Sequence, residues 1–277
     1  MATTRTRPLG ALYPTQLLHF RRCPLSWRLR YVDRQPIVEQ PSPALALGNA
    51  VHEILAALLR QPSTVWSEID LLTVQRLVKD HLQVKGVHSG DALEVAAVDG
   101  CYAVRFCLDR LDRDVEVLGV ERTVRYQSRA LDRYGATLAA RIDLLVRHPD
   151  GEIETYDWKT GRDDNEEDTF QAALCRMVVS SVYPEASRDG ASVRTTTRYT
   201  RTGSDVSLIL SREQVTDAWR EMLGLVEQMA AVADQACPGR HCQWCPFRGN
   251  GCTIPIPSPV GRSVVSCPSK LDPVPSC

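Results

Sequence analysis

Ala140-Arg141-Ile142-Asp143, followed by Tyr156-Asp157-Trp158-Lys159-Thr160-Gly161, is the stretch whose reading decides the fold. Leu138 to His148 and Glu152 to Lys159 are two runs of alternating or β-branched character. Between them His148-Pro149-Asp150-Gly151 is strong turn chemistry, so the pair reads as a β-hairpin. With a loop of Pro149, Asp150 and Gly151, His148 faces Glu152, and counting back brings Asp143 directly opposite Asp157 with Cβ atoms roughly 5 Å apart. Lys159 then points to the same face as Asp157, because side chains alternate with period two. A two-residue loop would shift the register by one and send the aspartates to opposite faces.

Two carboxylates that close repel unless a cation lies between them or one is protonated. A hard divalent ion, Mg²⁺ or Mn²⁺, suits such oxygen ligands. The neighbouring lysine could orient a water and offset charge building on a phosphoryl group, which is the chemistry of phosphodiester hydrolysis. A bare D-x-K is commonly a solvated pair on an edge strand. The hairpin register raises this one above that reading, and so does composition: Lys79, Lys85, Lys159 and Lys270 are the only lysines, against 29 arginines. An ammonium is a compact charge with a tunable pKa, unlike a guanidinium.

Further landmarks flank the hairpin. Gln16-Leu17-Leu18-His19-Phe20-Arg21-Arg22-Cys23-Pro24 lies near the start, and Leu47-Gly48-Asn49-Ala50-Val51-His52-Glu53 follows. His52 falls in Pro43 to Gln61, where Leu47, Val51, Leu55 and Leu58 recur at helical spacing. Gly48, one turn earlier on the histidine's side, leaves room for another segment to approach. Near the C-terminus Cys242, Cys245 and Cys252 give C-x2-C-x6-C, a spacing that means a metal or cluster site. Zinc and a 4Fe-4S cluster both accept four cysteines, and spacing alone does not choose between them.

Taken in order, these residues resemble the PD-(D/E)XK nuclease superfamily, specifically its RecB-like branch, which includes nuclease domains of bacterial recombination helicase-nucleases and the CRISPR adaptation exonucleases. The resemblance covers nearly the whole chain. It implies an α/β fold: a restriction-endonuclease-like mixed sheet flanked by helices, with an N-terminal helical region and a C-terminal iron-sulfur staple. It implies His52, Asp143, Asp157 and the backbone carbonyl of Trp158 as metal ligands, with Asp143, Asp157, Lys159 and Gln171 serving catalysis. Glu121, in the strand-like run Val115 to Tyr126, sits where relatives often carry another acidic residue. Cys23 would complete the set with Cys242, Cys245 and Cys252, and the resemblance favours 4Fe-4S over structural Zn²⁺. Two departures are Ala140, where the family usually has glycine, and Cys175, where it often has tyrosine.

The activity so implied is a Mg²⁺- or Mn²⁺-dependent DNA nuclease, an exonuclease on single-stranded ends leaving 5′-phosphates, in DNA repair or recombination. A helicase or a CRISPR adaptation protein is the partner expected, since the chain has no G-x-x-x-x-G-K-[ST] phosphate loop. The alternative is a non-catalytic nucleic-acid-binding subunit that keeps the fold and cluster, against which the retention of His52, Asp143, Asp157 and Lys159 argues.

At 277 residues and 43% hydrophobic content the chain can bury a full core. One nuclease domain is expected over residues 1–252: a mainly helical region at 14–113, a catalytic α/β core at 115–235 and a cysteine segment at 237–252 closing onto Cys23. Residues 253–277 read as a flexible Pro/Ser-rich tail. Helical patterns cover Pro14 to Tyr31, Pro43 to Gln61, Thr73 to Val84, Leu93 to Leu111, Thr169 to Val182 and Ser211 to Gln235. Later strand-like runs are Ser192 to Tyr199 and Asp205 to Leu210. The acidic run Asp163 to Asp168 is expected to cap the Thr169 helix.

No run is long enough to span a membrane, and no apolar signal region opens the chain, so ten cysteines point to a reducing cytoplasm rather than a disulfide scaffold. Cys237 is a possible substitute ligand, Cys101, Cys107 and Cys175 read as buried small hydrophobes, and Cys267 and Cys277 fall in the tail. A net charge of −1 and a pI near 6.6 exclude indiscriminate coating of nucleic acid. Local basic faces are Arg21, Arg22, Arg28, Arg30 and Arg34, and Arg194, Arg198 and Arg201. Trp27, Tyr31 and Trp244 either stack on unpaired bases or pack around the cysteines.

Overall fold

In the computed structural model the described residues are 8–37, 43–87, 90–161, 165–184, 193–231 and 235–253, with 165–168 described in backbone only. The elements in chain order are β1 (Gly10–Leu12), α1 (Pro14–Arg22), α2 (Pro24–Trp27), a π-helical turn (Arg28–Val32), α3 (Pro43–Leu59), α4 (Ser63–Glu68), α5 (Leu71–Val84) and α6 (Asp91–Asp109). Then come β2 (Glu116–Tyr126), α7 (Arg129–Asp132), β3 (Ala136–Arg147), β4 (Ile153–Lys159), α8 (Asn165–Val182), β5 (Val193–Tyr199), β6 (Ser204–Ile209) and α9 (Arg212–Ala230).

His148 donates its backbone N–H to the Glu152 carbonyl at 2.9 Å, so the hairpin loop is Pro149, Asp150 and Gly151. Gly151 supplies the φ of 90° that the turn needs. Arg147 therefore opposes Ile153 and Leu144 opposes Tyr156, the register in which Asp143 and Asp157 share a face. The full sheet is mixed and six-stranded, in the order β1-β3-β4-β5-β6 with β2 also on β3. β1 and β3 run parallel, as do β4 and β5, whose parallel pairing needs a crossover that α8 supplies. This is the mixed α/β, restriction-endonuclease-like architecture expected.

Two compact units emerge. Gln40–Tyr126 with Ala139–Trp219 make one, and Met1–Glu39, Gln127–Leu138 and Arg220–Cys277 make the other. In the first, Val51, Leu55 and Leu58 of α3 join α5 and α6 in a core that covers Leu144, Val146, Tyr156 and Trp158. These even-numbered residues form one face of the hairpin. The odd-numbered face carries Asp143, Asp157 and Lys159 alongside the buried Leu145, Ile153 and Thr155.

The same core takes Arg198 and Arg194 out of the expected basic face. Arg198 is 3% exposed, pairs with Asp205 at 3.0 Å, donates to the Cys107 carbonyl at 2.8 Å and lies over the Tyr156 ring. Arg194 pairs with Glu152 at 2.7 Å. Arg198 is thus a core residue, whereas Arg194 stays at the surface with its charge matched by Glu152.

In the second unit the expected Pro14 to Tyr31 helix is broken. Cys23 is extended, at φ −160° and ψ 102°, because Pro24 disfavours the helical conformation in the residue before it. The break turns Cys23 out of the helix register. α8 begins at Asn165, so Asn165–Asp168 form its first turn rather than precede it, while residues 162–164 and the acidic side chains lie outside the described residues. The tail beyond Thr253, including Cys267 and Cys277, also lies outside them. β1, α4 and α7 were not expected: at 3, 6 and 4 residues they are too short to show a period.

Candidate active site and cysteine cavity

The pairing recorded between β3 and β4 ends at Leu144 and Tyr156. Beyond it the Trp158 N–H donates to Asp143 Oδ2 at 2.8 Å, and the Trp158 carbonyl accepts from His52 Nε2 at 3.0 Å. Buried backbone groups must find partners, and here they find functional side chains. Trp158 is itself 4% exposed, so the end of β4 becomes a rigid mount for Asp143 and His52. The Trp158 carbonyl, expected in the metal shell, is thus next to the His52 ring. Gly48 explains how α3 comes this close: a Cβ there would stand 2.9 Å from Thr160 Oγ1.

His52 Nδ1 lies 3.5 Å from Asp143 Oδ2 and 3.6 Å from Glu121 Oε1. Ligand atoms of His52, Glu121 and Asp143 all fall within 4.8 Å of one another. Burial works to lower the basicity of His52, but its hydrogen bonds to the Asp143 and Glu121 carboxylates, which accept, outweigh burial and hold its pKa up at about 10. Glu121 shows the reciprocal effect: burial would raise it, while His52 and Arg141 bring it below the usual carboxylate range. The carboxylates thus fix a positive charge in their midst, as a set suited to a divalent cation should.

Glu121 reaches this position through strain. Its φ is +51° in the middle of β2, a conformation costing a non-glycine residue about 1–2 kcal/mol. Such strain persists where the surroundings over-determine it, typically at functional sites. One prediction reverses the usual rule for strands, where glycine is the weaker residue. Glu121→Gly should be more stable than Glu121→Ala by about 1 kcal/mol, roughly 2–4 °C in Tm. Thermal unfolding of the two variants compares them, and a more stable alanine variant would mean the backbone there is unstrained.

Asp157 and Lys159 form a second group. Their side chains pair at 3.3 Å, and Gln171 Nε2 on α8 donates to Asp157 Oδ1 at 3.3 Å. Asp157 Oδ2 is buried with that ion pair but no hydrogen bond of good geometry. Burial lifts the Asp157 carboxyl to about 6; the Lys159 ammonium opposes the rise and the Asp143 carboxylate adds to it. Cys175, four residues after Gln171, has its thiol pushed up to about 12 by burial and by the same two aspartates. It is a buried small hydrophobe, as are Cys101 and Cys107.

The histidine-carboxylate group opens into a cleft of about 580 Å³ also lined by Asn49, Glu53, Arg60 and Arg141. Arg141 was missed as a functional candidate. It is 65% exposed at its side chain and holds Glu121 Oε2 at 2.5 Å. The signal was present: Arg141 stands two residues before Asp143 and so shares its face.

In the other unit, Cys23, Cys242, Cys245 and Cys252 line a single cavity with Ser26, Cys237 and His241. The Gly239 N–H donates to Cys242 Sγ at 3.4 Å, and Ser26 Oγ is 3.8 Å from Cys245 Sγ. Phe247, fully buried, anchors the loop. Among the described residues no three of the sulfurs come within 4.8 Å of one another. Trp27 is 4% exposed and packed edge-on against Phe20, whereas Trp244 is 78% exposed and does not pack around the cysteines.

A family model described as PD-(D/E)XK nuclease superfamily matches residues 11–250. A solved structure described as "Crystal structure of SSO0001" is similar at 15% sequence identity and a TM-score of 0.39, covering 88% of this chain and 86% of that chain. No curated protein matches.

Proposed function

The chain belongs to the PD-(D/E)XK nuclease superfamily, and from that premise we propose a Mg²⁺- or Mn²⁺-dependent deoxyribonuclease of the RecB-like branch, an exonuclease on single-stranded DNA ends in repair or recombination. The observation that carries the reading is the gathering of His52, Glu121 and Asp143 within 4.8 Å. Asp157, Lys159 and Gln171 stand on the adjoining odd-numbered face and helix. We place the nuclease domain at residues 1–252.

His52, Asp143 and Glu121 would hold the cation, with Asp157 contributing once ionised. When bound, the ion polarises a phosphoryl oxygen and acidifies a water. Lys159 orients that water and offsets charge on the phosphoryl group, while Asp157 keeps the ammonium in place. Gln171 fixes the Asp157 carboxylate. The Trp158 carbonyl holds the His52 ring so that Nδ1 faces the carboxylates, as outer partners of metal ligands commonly do.

Ion binding must displace the proton that Glu121 and Asp143 hold on His52. Divalent affinity therefore rises with pH between about 6 and about 10, and falls further below about 6 as Asp157 takes a proton. Calorimetry in buffers of different ionisation enthalpy should read about one proton released per ion at neutral pH. Binding without proton release would remove His52 from the ligand set.

We read the cysteine cavity as the site of a 4Fe-4S cluster rather than of structural zinc, on the likeness to the RecB-like branch, since four cysteines accept either. When bound, the cluster ties Cys23 to the C-terminal cysteines. A cluster held by thiolates accords with a cytoplasmic protein. Among the described residues no helix is long and apolar enough to cross a membrane. The partner that opens duplex DNA is a helicase or a CRISPR adaptation protein.

The exonuclease reading is tested with linear and circular single-stranded DNA in Mn²⁺. Degradation of the linear strand with the circle spared is expected; cutting of the circle at a similar rate would make the enzyme an endonuclease.

A further inference from the structure

In the unit that carries the cysteines, a cavity of about 530 Å³ is lined by Gln16, Trp27, Arg28, Arg30, Tyr31 and Arg34 among others, and no acidic side chain is among its described lining residues. That volume lies within the range of about 300–1,000 Å³ typical of ligand sites. Residues 8–37 hold five arginines (Arg21, Arg22, Arg28, Arg30, Arg34) against one acidic residue, Asp33, in a chain of net charge −1. Arg21 is paired with Glu221 at 2.9 Å, so the cationic groups the cavity itself presents are those of Arg28, Arg30 and Arg34.

Three independent features converge on the same wall. The Asp33 N–H bonds to the Arg28 carbonyl at 2.9 Å, five residues back, which makes Arg28–Val32 a π-helical turn. Such turns are uncommon and concentrate at functional sites. Arg34, just beyond it, has φ +50°, a strained conformation for a bulky side chain. The indole Nε1 of Trp27 is buried with no hydrogen-bond partner. A buried donor left unpaired is uncommon in a native fold, where buried polar groups are nearly always partnered.

Chemically the wall offers guanidinium groups and one aromatic face. Arg30 and Arg34 are exposed, and Tyr31 is half-buried with the Arg30 guanidinium 5.8 Å from its ring centre. Resting on the nuclease reading above, we propose that this cavity is a binding site for single-stranded polynucleotide, the arginines taking backbone phosphates and Tyr31 stacking on a base. Cationic grooves with interleaved aromatics bind single strands in this way, without needing to read sequence. Arg28, paired to Asp33 at 3.2 Å, sets the shape of the turn.

The test is binding of a fluorescent oligothymidylate followed by anisotropy, with no added divalent cation so that no cleavage occurs. Arg30→Ala with Arg34→Ala should weaken binding by about tenfold or more and lower the slope of log affinity against log salt by about 1.4, from roughly 0.7 per lost phosphate contact. Tyr31→Ala should weaken it by about tenfold, and Tyr31→Phe should retain it. Ultraviolet cross-linking of the unmodified protein to the same oligonucleotide should place the adduct between Trp27 and Arg34, a readout that needs no variant to fold. Cross-links found only elsewhere, or a double variant of unchanged affinity and salt slope that keeps its visible absorbance, overturn the site. If the native protein still cuts DNA in Mn²⁺, that failure leaves the nuclease reading standing. A protein that binds through this cavity but never cuts has the opposite meaning.

Discussion

Asp157→Ala and Lys159→Ala each lower DNA cleavage by about 10³-fold or more, the scale expected when a group stabilising transition-state charge is lost. Neither change unfolds the protein. Asp157 illustrates why: its carboxyl, lifted to about 6 by burial, is ionised at neutral pH in a place that resists ionisation. An aspartate whose folded pKa is raised destabilises the native state at a pH above that value, and the penalty fades as the pH falls and the carboxyl takes a proton. The metal-free Asp157→Ala protein is therefore at least as stable as the native one at pH 8, and this advantage shrinks below about 6. Thermal unfolding at the two pH values, beside cleavage assays, reads both parts. Lys159→Arg does not restore activity, because the ammonium pairs with Asp157 at 3.3 Å as a point charge that a planar guanidinium cannot reproduce. A fully active Lys159→Ala protein would remove the lysine from the mechanism.

The second large effect comes from the cysteines. Cys245→Ser or Cys23→Ser bleaches the visible absorbance and loosens the unit that holds the cavity. If the proposed cluster is bound, its links to Cys23 and Cys242 would close a loop of roughly 220 residues. A covalent cross-link of that span is worth about 5 kcal/mol by chain entropy. For a protein of this size the corresponding fall in Tm is roughly 10–20 °C. Limited proteolysis should show new cuts at the Arg240–Trp244 turn, which carries Cys242 and leads into Cys245. A colourless, equally stable variant would show that the cavity holds no staple.

The hairpin was legible because its register follows from one turn: Pro149-Asp150-Gly151 fixes the count, and the count places Asp143 with Asp157. Helix α3 was legible from the spacing of Val51, Leu55 and Leu58. Glu121 was harder, since alternation along β2 does not foretell a residue at φ +51°, and only the family resemblance pointed to it. Arg198 misled in the opposite direction. An arginine on a strand reads as surface charge, but tertiary packing buries this one between Asp205 and the Tyr156 ring. The parting of β3 from β4 at Trp158 is likewise a tertiary effect, arising when Asp143 and His52 supply the partners that a neighbouring strand would have given.

The most direct measurement is a Mn²⁺ titration of the native protein, purified without oxygen, with bound ion followed by electron paramagnetic resonance and degradation of end-labelled single-stranded DNA followed in the same samples. Cleavage that rises in step with bound Mn²⁺, and is absent without it, is the result predicted for His52, Glu121, Asp143 and Asp157. A protein saturated with Mn²⁺ that binds the DNA and leaves it intact would contradict the nuclease account and make the chain a binding subunit.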